Sequence, residues 1–235
     1  MTTSPSVIVS NYGYYYPRGS YLFNSVLNKP LRTEVLSSPG DYLVTLDQAR
    51  SWLGLSGDYE ADSEIQDLLE AFSDYLEGPD SLTNKCFRQW KFIDFFRVKK
   101  LYKSSRIYLS YPIVQGIEEF FYDDYIGDRT EINSSKYRLI KRQLKKSYIL
   151  ILEDIDLGID TSLFDEISSV ELGITYNCSA DLDQENNPII PKKLIQACKH
   201  YINDSYYKRG IQLGPFEGAG VQNKLITNLL KSYMY

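Results

Sequence analysis

The spacing of apolar residues in this chain first follows a helical period. Thr45 and Gln48 form a capping-box pattern, in which each side chain can bond the backbone N–H of the other residue. Gly54, a residue type that often ends a helix, follows eight residues of helical spacing. These signals predict a helix over residues 46–53, and an acidic turn comes after it.

A second helix is predicted over residues 63–77. Ser63 and Gln66 repeat the capping-box pattern, and Gly78-Pro79 ends the helical period. One face of this helix is apolar, whereas the other carries acids and no basic residue: Glu64, Asp67, Glu70, Asp74 and Glu77. Such a face is either simply solvated or a repulsive, steering surface that is directed at DNA or at an identical neighbour.

The apolar period shortens between about residue 88 and residue 176. This region consists of short runs rich in β-branched and aromatic residues, separated by turn signals, among them RQWKFIDFF, RIYLS, SYILIL and SSVELGITY. The pattern predicts a small antiparallel β unit that is inserted between helices.

Helical spacing returns over residues 191–209. Pro191 fits the first position of this helix, and its predicted buried stripe is Leu194, Ala197, Cys198, Tyr201 and Ser205. The glycine-rich sequence GPFEGAG follows and is interpreted as a flexible joint, because it lacks the Lys-Ser/Thr of a phosphate-binding loop. A last amphipathic helix is predicted within residues 211–235, with Val221, Leu225, Leu229 and Tyr233 on one face.

The first 41 residues differ from the rest of the chain. They are rich in Ser, Tyr, Pro and Gly and show no sustained period, which is typical of an extended arm. Its aromatic content indicates that this arm packs on its own domain or on a neighbouring subunit. The predicted fold is therefore α+β: an extended N-terminal arm (1–41), a helical bundle with an inserted antiparallel β unit (42–210), and a C-terminal helical tail (211–235).

Charge is distributed unevenly along the chain. The formal net charge of −5 argues against a general nucleic-acid-binding protein. Basic residues nevertheless concentrate in two stretches of the predicted β unit, where the candidate contact residues are Lys99, Lys100, Lys103, Arg106, Lys141, Arg142, Lys145 and Lys146. These residues meet an acidic neighbouring subunit, contact DNA phosphates or are solvated.

Signatures of catalysis are absent from the sequence. The single histidine, His200, lies within a predicted helix, and the three cysteines form no CxxC pair, so no metal site, cofactor or enzymatic activity is expected. No apolar run reaches the roughly 18 residues of a membrane span, and the first residues do not have the pattern of a signal peptide. These features predict a soluble, intracellular protein.

The order of the segments resembles the head–tail connector (adaptor) family of tailed bacteriophages. The resemblance begins with YLVTLDQARSWLGL (42–55) and the helix SEIQDLLEAFSDYLEG (63–78). It continues through FRQWKFIDFF, YLSYPIVQGIEEFFYDD (108–124) and SKYRLI to VELGITYNCSAD, followed by the Pro-led helix IPKKLIQACKHYINDSYYKRG. The final segment, VQNKLITNLLKSYMY, resembles the short apolar helix with which many members end.

This resemblance implies a non-enzymatic structural protein of the virion neck, assembled in the cytoplasm of a host bacterium. Such a protein would form a ring, usually twelvefold, beneath the portal protein, and would link the DNA-filled head to further neck or tail proteins. Its C-terminal residues Val221, Leu225, Leu229 and Tyr233 would dock on the portal. The acidic residues Glu64, Asp67, Glu70 and Asp74 would border the channel through which genomic DNA passes without sequence-specific contacts. The alternatives are a tail-side neck or tail-completion protein and a DNA-binding assembly factor.

Overall fold

The structure, a computed structural model, is an α+β protein of two compact units. It describes residues 8–9, 15–16, 26–27, 29–79, 81–98, 100–123, 128–142, 145–157, 170–185, 187–207 and 222–234. Each unit combines two separate stretches of the chain. Met1–Ser37 and Trp90–Cys178 form one unit, here called the β unit, and Ser38–Gln89 and Ser179–Tyr235 form the other, here called the helical unit.

In its described residues, the helical unit contains four helices around one apolar core. They are α1 (Leu46–Leu53), α2 (Asp62–Leu76), α3 (Lys192–Tyr207) and α4 (Gln222–Leu230), and a 3₁₀ turn (Lys231–Tyr233) follows α4. Fully buried side chains from all four helices form the core, among them Ala49, Ile65, Leu69, Phe72, Leu76, Ala197, Cys198, Ile202 and Leu230. Burial of this shared core, rather than helix propensity alone, stabilises helices as short as α1 and α4.

Helix α1 has the predicted bounds and the predicted ends. Thr45 and Gln48 form both bonds of the capping box, with N···O distances of 3.2 and 3.1 Å, and Gly54 closes the helix in the left-handed conformation at φ 71°. The Arg50 side chain then donates to both carboxylate oxygens of Asp62, at 2.7 and 2.9 Å, and so joins α1 to the first residue of α2.

The predicted capping box at the start of α2 is wrong. Helix α2 begins at Asp62, one residue earlier than predicted, and its N-cap residue, Ala61, makes no side-chain capping bond. The negative charge of Asp62 in the first turn is favourable beside the positive end of the helix dipole, and its pairing with Arg50 orients that turn. The start of α2 therefore has an ion pair to α1 and no side-chain cap.

Helix α3 buries most of the predicted stripe. Leu194, Ala197, Cys198 and Tyr201 are buried as expected, but Ile202 completes the stripe, and Ser205 is only half-buried. The carbonyl of Pro191 accepts the backbone N–H groups of Leu194 and Ile195, so Pro191 directly precedes the helix. Residues 208–209 of the predicted helix lie outside the described residues.

The described strands of the β unit form two main sheets. A four-stranded sheet has the order β3-β6-β10-β9, and a five-stranded sheet has the order β4-β5-β11-β7-β8. The strands are β1 (Ile8–Val9), β2 (Tyr15–Tyr16), β3 (Val26–Leu27), β4 (Arg32–Ser37), β5 (Trp90–Val98), β6 (Arg106–Pro112), β7 (Val114–Asp123), β8 (Arg129–Glu131), β9 (Tyr137–Ile140), β10 (Lys146–Ile151) and β11 (Val170–Cys178). Strands β1 and β2 pair with each other, and every pair except β3–β6 is antiparallel.

Part of the predicted N-terminal arm belongs to the sheets. Strand β4 forms an edge of the five-stranded sheet by pairing with β5, and β3 pairs in parallel with β6. Strand β4 was not recognised in the sequence because an edge strand keeps most of its side chains exposed, so its apolar residues do not alternate cleanly. Residues 26–27 and 32–37 of the predicted arm are therefore structural parts of the β unit.

A glycine permits close packing in the five-stranded sheet. Gly173 in β11 lies directly between Phe95 of β5 and Phe121 of β7. A Cβ atom at this position would be 2.2 Å from Cζ of Phe121, which is far too short for a non-bonded contact. The ring of Phe121 therefore covers the space that a side chain of residue 173 would fill.

Candidate interaction surfaces

The exposed face of α2 carries three uncompensated acids. Asp67, Glu70 and Asp74 are exposed, and within the described part of the chain none of them forms an ion pair. We call these three residues the acidic stripe. Their spacing of three and four residues places them on one side of the helix. Glu64, which the sequence grouped with them, is half-buried.

Glu77 does not belong to the solvated acidic face that the sequence predicted. Its side chain is completely buried and forms an ion pair with Arg88. One carboxylate oxygen of Glu77 also accepts the backbone N–H groups of Phe87 and Arg88, at 2.7 and 2.9 Å. Because the chain turns away from the helix axis at Glu77, this side chain points into the loop that follows α2. Its role is therefore structural.

The predicted basic contact residues occupy three places in the β unit. Lys100 and Lys103 are exposed after β5, Lys141, Arg142 and Lys145 are exposed between β9 and β10, and Arg106 and Lys146 lie in strands β6 and β10. Lys99 lies outside the described residues. The strand residues are the most informative, because the pairing of β6, β10 and β9 determines which face of the sheet they share.

Strand register brings cations and aromatic rings together on one face of the four-stranded sheet. Arg106 of β6 and Arg138 of β9 both pair with Leu150 of β10, so the three residues form one row across the sheet. In the adjacent row, Tyr108 pairs with Tyr148, and their ring centroids are 5.2 Å apart. We call Arg106, Arg138 and Lys146, together with Tyr108 and Tyr148, the cationic face.

The opposite face of this sheet packs in the interior, where Ile107 and Ile149 are completely buried. On the cationic face the two tyrosines are half-buried, whereas Arg106, Arg138 and Lys146 are exposed. The guanidinium of Arg106 lies 5.6 Å from the centroid of the Tyr148 ring. None of the three cations forms an ion pair with a described residue.

Cations of the five-stranded sheet have a different environment. Arg32 pairs with Glu34 and Glu171 at 2.8 and 2.6 Å, Lys91 pairs with Glu118, and Arg129 pairs with Asp123 at 3.2 Å. Arg32 and Arg129 also cover the rings of Phe95 and Phe121, at 3.7 and 3.6 Å from the ring centroids. This sheet therefore neutralises these cations internally, whereas the cationic face does not.

The C-terminal helix packs on the core of its own helical unit. Ile226 and Leu230, which the sequence did not single out, are its buried residues. Of the predicted docking residues, Leu229 and Tyr233 are partly buried against the same core, Leu225 is 41% exposed, and Val221 lies outside the described residues. The predicted apolar face is therefore rotated relative to the face that the structure buries.

Two contacts attach the end of the chain to the loop after α2. Lys85 is buried and donates from Nζ to the backbone carbonyl of Tyr233 at 2.5 Å. The ring of Tyr233 packs edge-on against Phe87, with centroids 5.6 Å apart. Burial lowers the pKa of Lys85, because the charged ammonium loses part of its hydration.

One buried carboxylate in the β unit was missed by sequence analysis. Asp94 lies in the middle of β5 and is completely buried. It accepts hydrogen bonds from the Thr33 hydroxyl (2.6 Å), from the backbone N–H and hydroxyl of Ser110 (2.7 and 2.8 Å), and from the Tyr176 hydroxyl (3.0 Å). Ser110 lies in β6 of the other sheet, so Asp94 connects the two sheets.

The Asp94 network perturbs the protonation of its members. Burial raises the pKa of Asp94, although the hydrogen bonds from Thr33, Ser110 and Tyr176 oppose this shift. Burial and the neighbouring carboxylate raise the pKa of Tyr176 well above its usual value. The signal in the sequence was a lone acid, in FIDFF, at a position flanked by apolar residues.

The described residues contain neither a cluster that could bind a metal ion nor a helix that could span a membrane. No group of three or more His, Cys, Asp or Glu side chains in the described ranges could hold a metal ion. Among the described helices, none is both long and apolar enough to cross a membrane. Burial raises the pKa of the Cys198 thiol to about 12, and His200 is half-buried in α3.

The fold is shared with chains from gene transfer agent (GTA) particles. No family model and no curated protein matches this sequence. Among solved structures, a chain from the neck of an empty GTA particle computed with C6 symmetry has a TM-score of 0.54 and 14% identity, with 86% of this chain and 95% of that chain covered.

Two further solved structures give the same result. A chain from the virion of a native GTA particle has a TM-score of 0.52 and 15% identity, covering 85% of this chain and 95% of that one. A chain from the neck of a native GTA particle computed with C12 symmetry has a TM-score of 0.50 and 16% identity, covering 86% and 94%. The chain therefore has the fold of chains found in these particles, over nearly their whole length.

Proposed function

We propose that this protein is a structural subunit of the neck of a phage-like particle and serves as the adaptor between portal and tail. In this role it forms a ring beneath the portal, connects the DNA-filled head to the tail and surrounds part of the DNA channel. It acts by assembly rather than by catalysis, as a protein of the virion.

The observation that carries this proposal is the extent of the shared fold. The alignment with the neck chain of the empty GTA particle covers 86% of this chain and 95% of the other, so it includes both the helical unit and the β unit. A match of one widespread sheet or one helix pair would carry little functional information. Two of the matching structures are necks computed with C6 or C12 symmetry, which favours a ring for this chain as well.

The order of segments in the sequence supports the finer assignment to an adaptor. The resemblance to the adaptor family covers residues 42–235, which include α1, α2, most of the β unit, α3 and α4. The same resemblance suggests that the C-terminal segment, 211–235, docks on the portal. Among the docking candidates that the structure describes, Leu225 is exposed, whereas Leu229 and Tyr233 pack on the core of the helical unit.

Native mass spectrometry of the purified chain mixed with its cognate portal ring tests this function. We expect a mass increment of about one chain per portal subunit, because an adaptor ring matches the ring to which it binds. Absence of any association would contradict the adaptor position and favour a neck protein on the tail side.

A pair of matched variants tests the docking segment in the same assay. Leu225→Asp places a charge on the exposed side of α4 and should abolish portal binding without unfolding the helical unit. Ile189→Asp is the control, because Ile189 is also an exposed apolar residue of the helical unit, at 54% exposure, but lies outside the docking segment. Equal binding by both variants would refute the docking role of α4.

A further inference from the structure

We infer that the cationic face of one copy of this chain binds the acidic stripe of a second copy. The cationic face is the outer surface of β6, β10 and β9 in the β unit, and the acidic stripe lies on α2 in the helical unit. This inference deepens the proposed ring and rests on it, since it assigns the surfaces through which neighbouring subunits meet.

The acidic stripe is unfavourable in an isolated chain. Asp67 and Glu70 are three residues apart, and Glu70 and Asp74 are four apart, which are the spacings at which like charges repel on a helix. Asp74 also lies in the last turn of α2, where the helix dipole disfavours negative charge and where no basic residue compensates it. Contact with a partner that supplies cations would relieve this repulsion.

The cationic face has the complementary properties. Arg106 and Arg138 share one row of the sheet. The pairing of β10 with β6 shifts register between Lys146 and Tyr148, but burial alternates along β10 and places Lys146 on the same side as Tyr148. The contrast with Arg32 and Arg129, which pair within their own sheet, shows that this chain can neutralise its strand cations internally. On the cationic face it does not do so within the described residues.

The spacing of the charges also agrees. Arg106 and Arg138 are separated by two strand spacings, or about 10 Å. Asp67 and Asp74 are seven residues apart on α2, which corresponds to about 10.5 Å along the helix axis. When α2 of one copy lies across β6, β10 and β9 of another, Asp67 and Asp74 can therefore each reach a different one of the two arginines.

The two tyrosines of the cationic face add aromatic contact area to its charges. Tyr108 and Tyr148 are half-buried beside the arginines, and tyrosine and arginine are both enriched at the centres of protein interfaces. When two copies meet through different surfaces, one copy keeps its acidic stripe free and the other keeps its cationic face free. The contact therefore repeats from copy to copy, and the repeats close into the proposed ring when the rotation between neighbours is a whole fraction of a turn. It covers the acidic stripe that the sequence suggested would border the DNA channel.

A charge swap tests whether the two surfaces face each other. One variant carries Arg106→Glu and Arg138→Glu, a second carries Asp67→Lys and Asp74→Lys, and a third combines all four substitutions. Sedimentation velocity over a range of concentrations measures association at about 0.05 M salt, where the Debye length exceeds 10 Å. Lys192→Glu with Lys193→Glu is the control, since it changes the net charge as the first variant does, at two exposed residues of α3.

We expect the wild type and the control to associate, and the first two variants to bind themselves at least tenfold more weakly. The combined variant should associate again, and so should an equal mixture of the first two variants. Circular dichroism verifies that each variant is folded. If the arginine-to-glutamate variant unfolds, Arg106→Gln with Arg138→Gln replaces it and should also weaken association, since it removes the positive charges without adding negative ones.

Failure of the combined variant to recover association would overturn the inference, as would a wild type that remains monomeric at low salt. Loss of duplex DNA binding in the first variant, without recovery of association in the combined variant, would assign the cationic face to DNA instead. The proposed function is tested separately, by portal binding of the wild-type chain. A wild type that binds the portal while its charge swap fails would refute this contact alone.

Discussion

Replacement of Asp94 tests whether a buried carboxylate or only a hydrogen-bonding group is needed between the two sheets of the β unit. Asp94→Ala removes the acceptor of four hydrogen bonds. The hydroxyls of Thr33 and Ser110 are 2.7 Å apart and can then bond to each other. The backbone N–H of Ser110 and the hydroxyl of Tyr176 lose their acceptor.

The expected loss follows from these two orphaned donors. A buried polar group that is left unsatisfied costs about 1–3 kcal/mol, so Asp94→Ala, which orphans two donors, should lower the free energy of unfolding by about 2–6 kcal/mol. Asp94→Asn should lower it by less than about 1 kcal/mol, since an amide of the same shape keeps every bond. The amide oxygen of the Asp94→Asn variant would accept from the backbone N–H of Ser110 and from the Tyr176 hydroxyl. Its NH₂ group would donate to the hydroxyls of Thr33 and Ser110, which rotate to accept.

Replacement of Asp94 by Asn should also change how the free energy of unfolding depends on pH. The pKa of Asp94 in the folded chain is raised above 3.8, mainly by burial, so folding favours the protonated carboxyl. The stability that this group contributes is therefore fully present below the pKa of the unfolded chain and is lost as the pH rises through the folded-state pKa. Asp94→Asn does not titrate, so its stability relative to the wild type should increase as the pH rises from about 4 toward neutrality.

The two tryptophans of the chain allow the β unit to be followed by itself. Trp52 lies in α1 of the helical unit, whereas Trp90 begins β5 and stacks on Phe92 with a centroid distance of 5.8 Å. In a Trp52→Phe background, urea unfolding monitored by fluorescence therefore reports on the β unit. The reasoning would be refuted if Asp94→Asn and Asp94→Ala lowered the free energy of unfolding equally. It would also be refuted if the difference in this free energy between the wild type and Asp94→Asn did not change with pH.

Three further substitutions test individual contacts. Glu77→Ala leaves the buried Arg88 without its ion-pair partner and should cost about 3–5 kcal/mol in urea unfolding; a loss below 1 kcal/mol would contradict the burial of this pair. Gly173→Ala forces a Cβ against Phe121 and should cost about 1–3 kcal/mol, and additional replacement of Phe121 by Leu should recover part of it; an additive double variant would argue against this clash. Thr45→Ala removes the cap of α1 and should cost about 1 kcal/mol, whereas Thr45→Ser should be nearly neutral; equal effects of both would show that the cap bond does not matter.

The sequence by itself determined the elements whose signals are local. The capping box at Thr45 and the left-handed position of Gly54 act within a few residues, so the bounds of α1 could be predicted. The α+β class followed from the change of apolar period between residues 88 and 176. The acidic stripe could also be predicted, because exposure on one side of a helix follows from the positions of the apolar residues on the other.

Tertiary structure decided everything that depends on partners distant in sequence. Asp62, the first residue of α2, pairs with Arg50 of α1, and Glu77 is buried beside Arg88 instead of lying on the acidic face. Strand β4 is defined by its pairing with β5, about sixty residues later, and its own side chains carry little signal.

The cationic face illustrates the same limit for a candidate site. Basic residues were evident in the sequence, but Arg106 and Arg138 share a row only because both strands pair with β10. Arg138 was therefore not among the candidate contact residues. A sequence records charge and local period, whereas strand register and burial decide which charges meet a partner within the chain and which stay exposed for another copy.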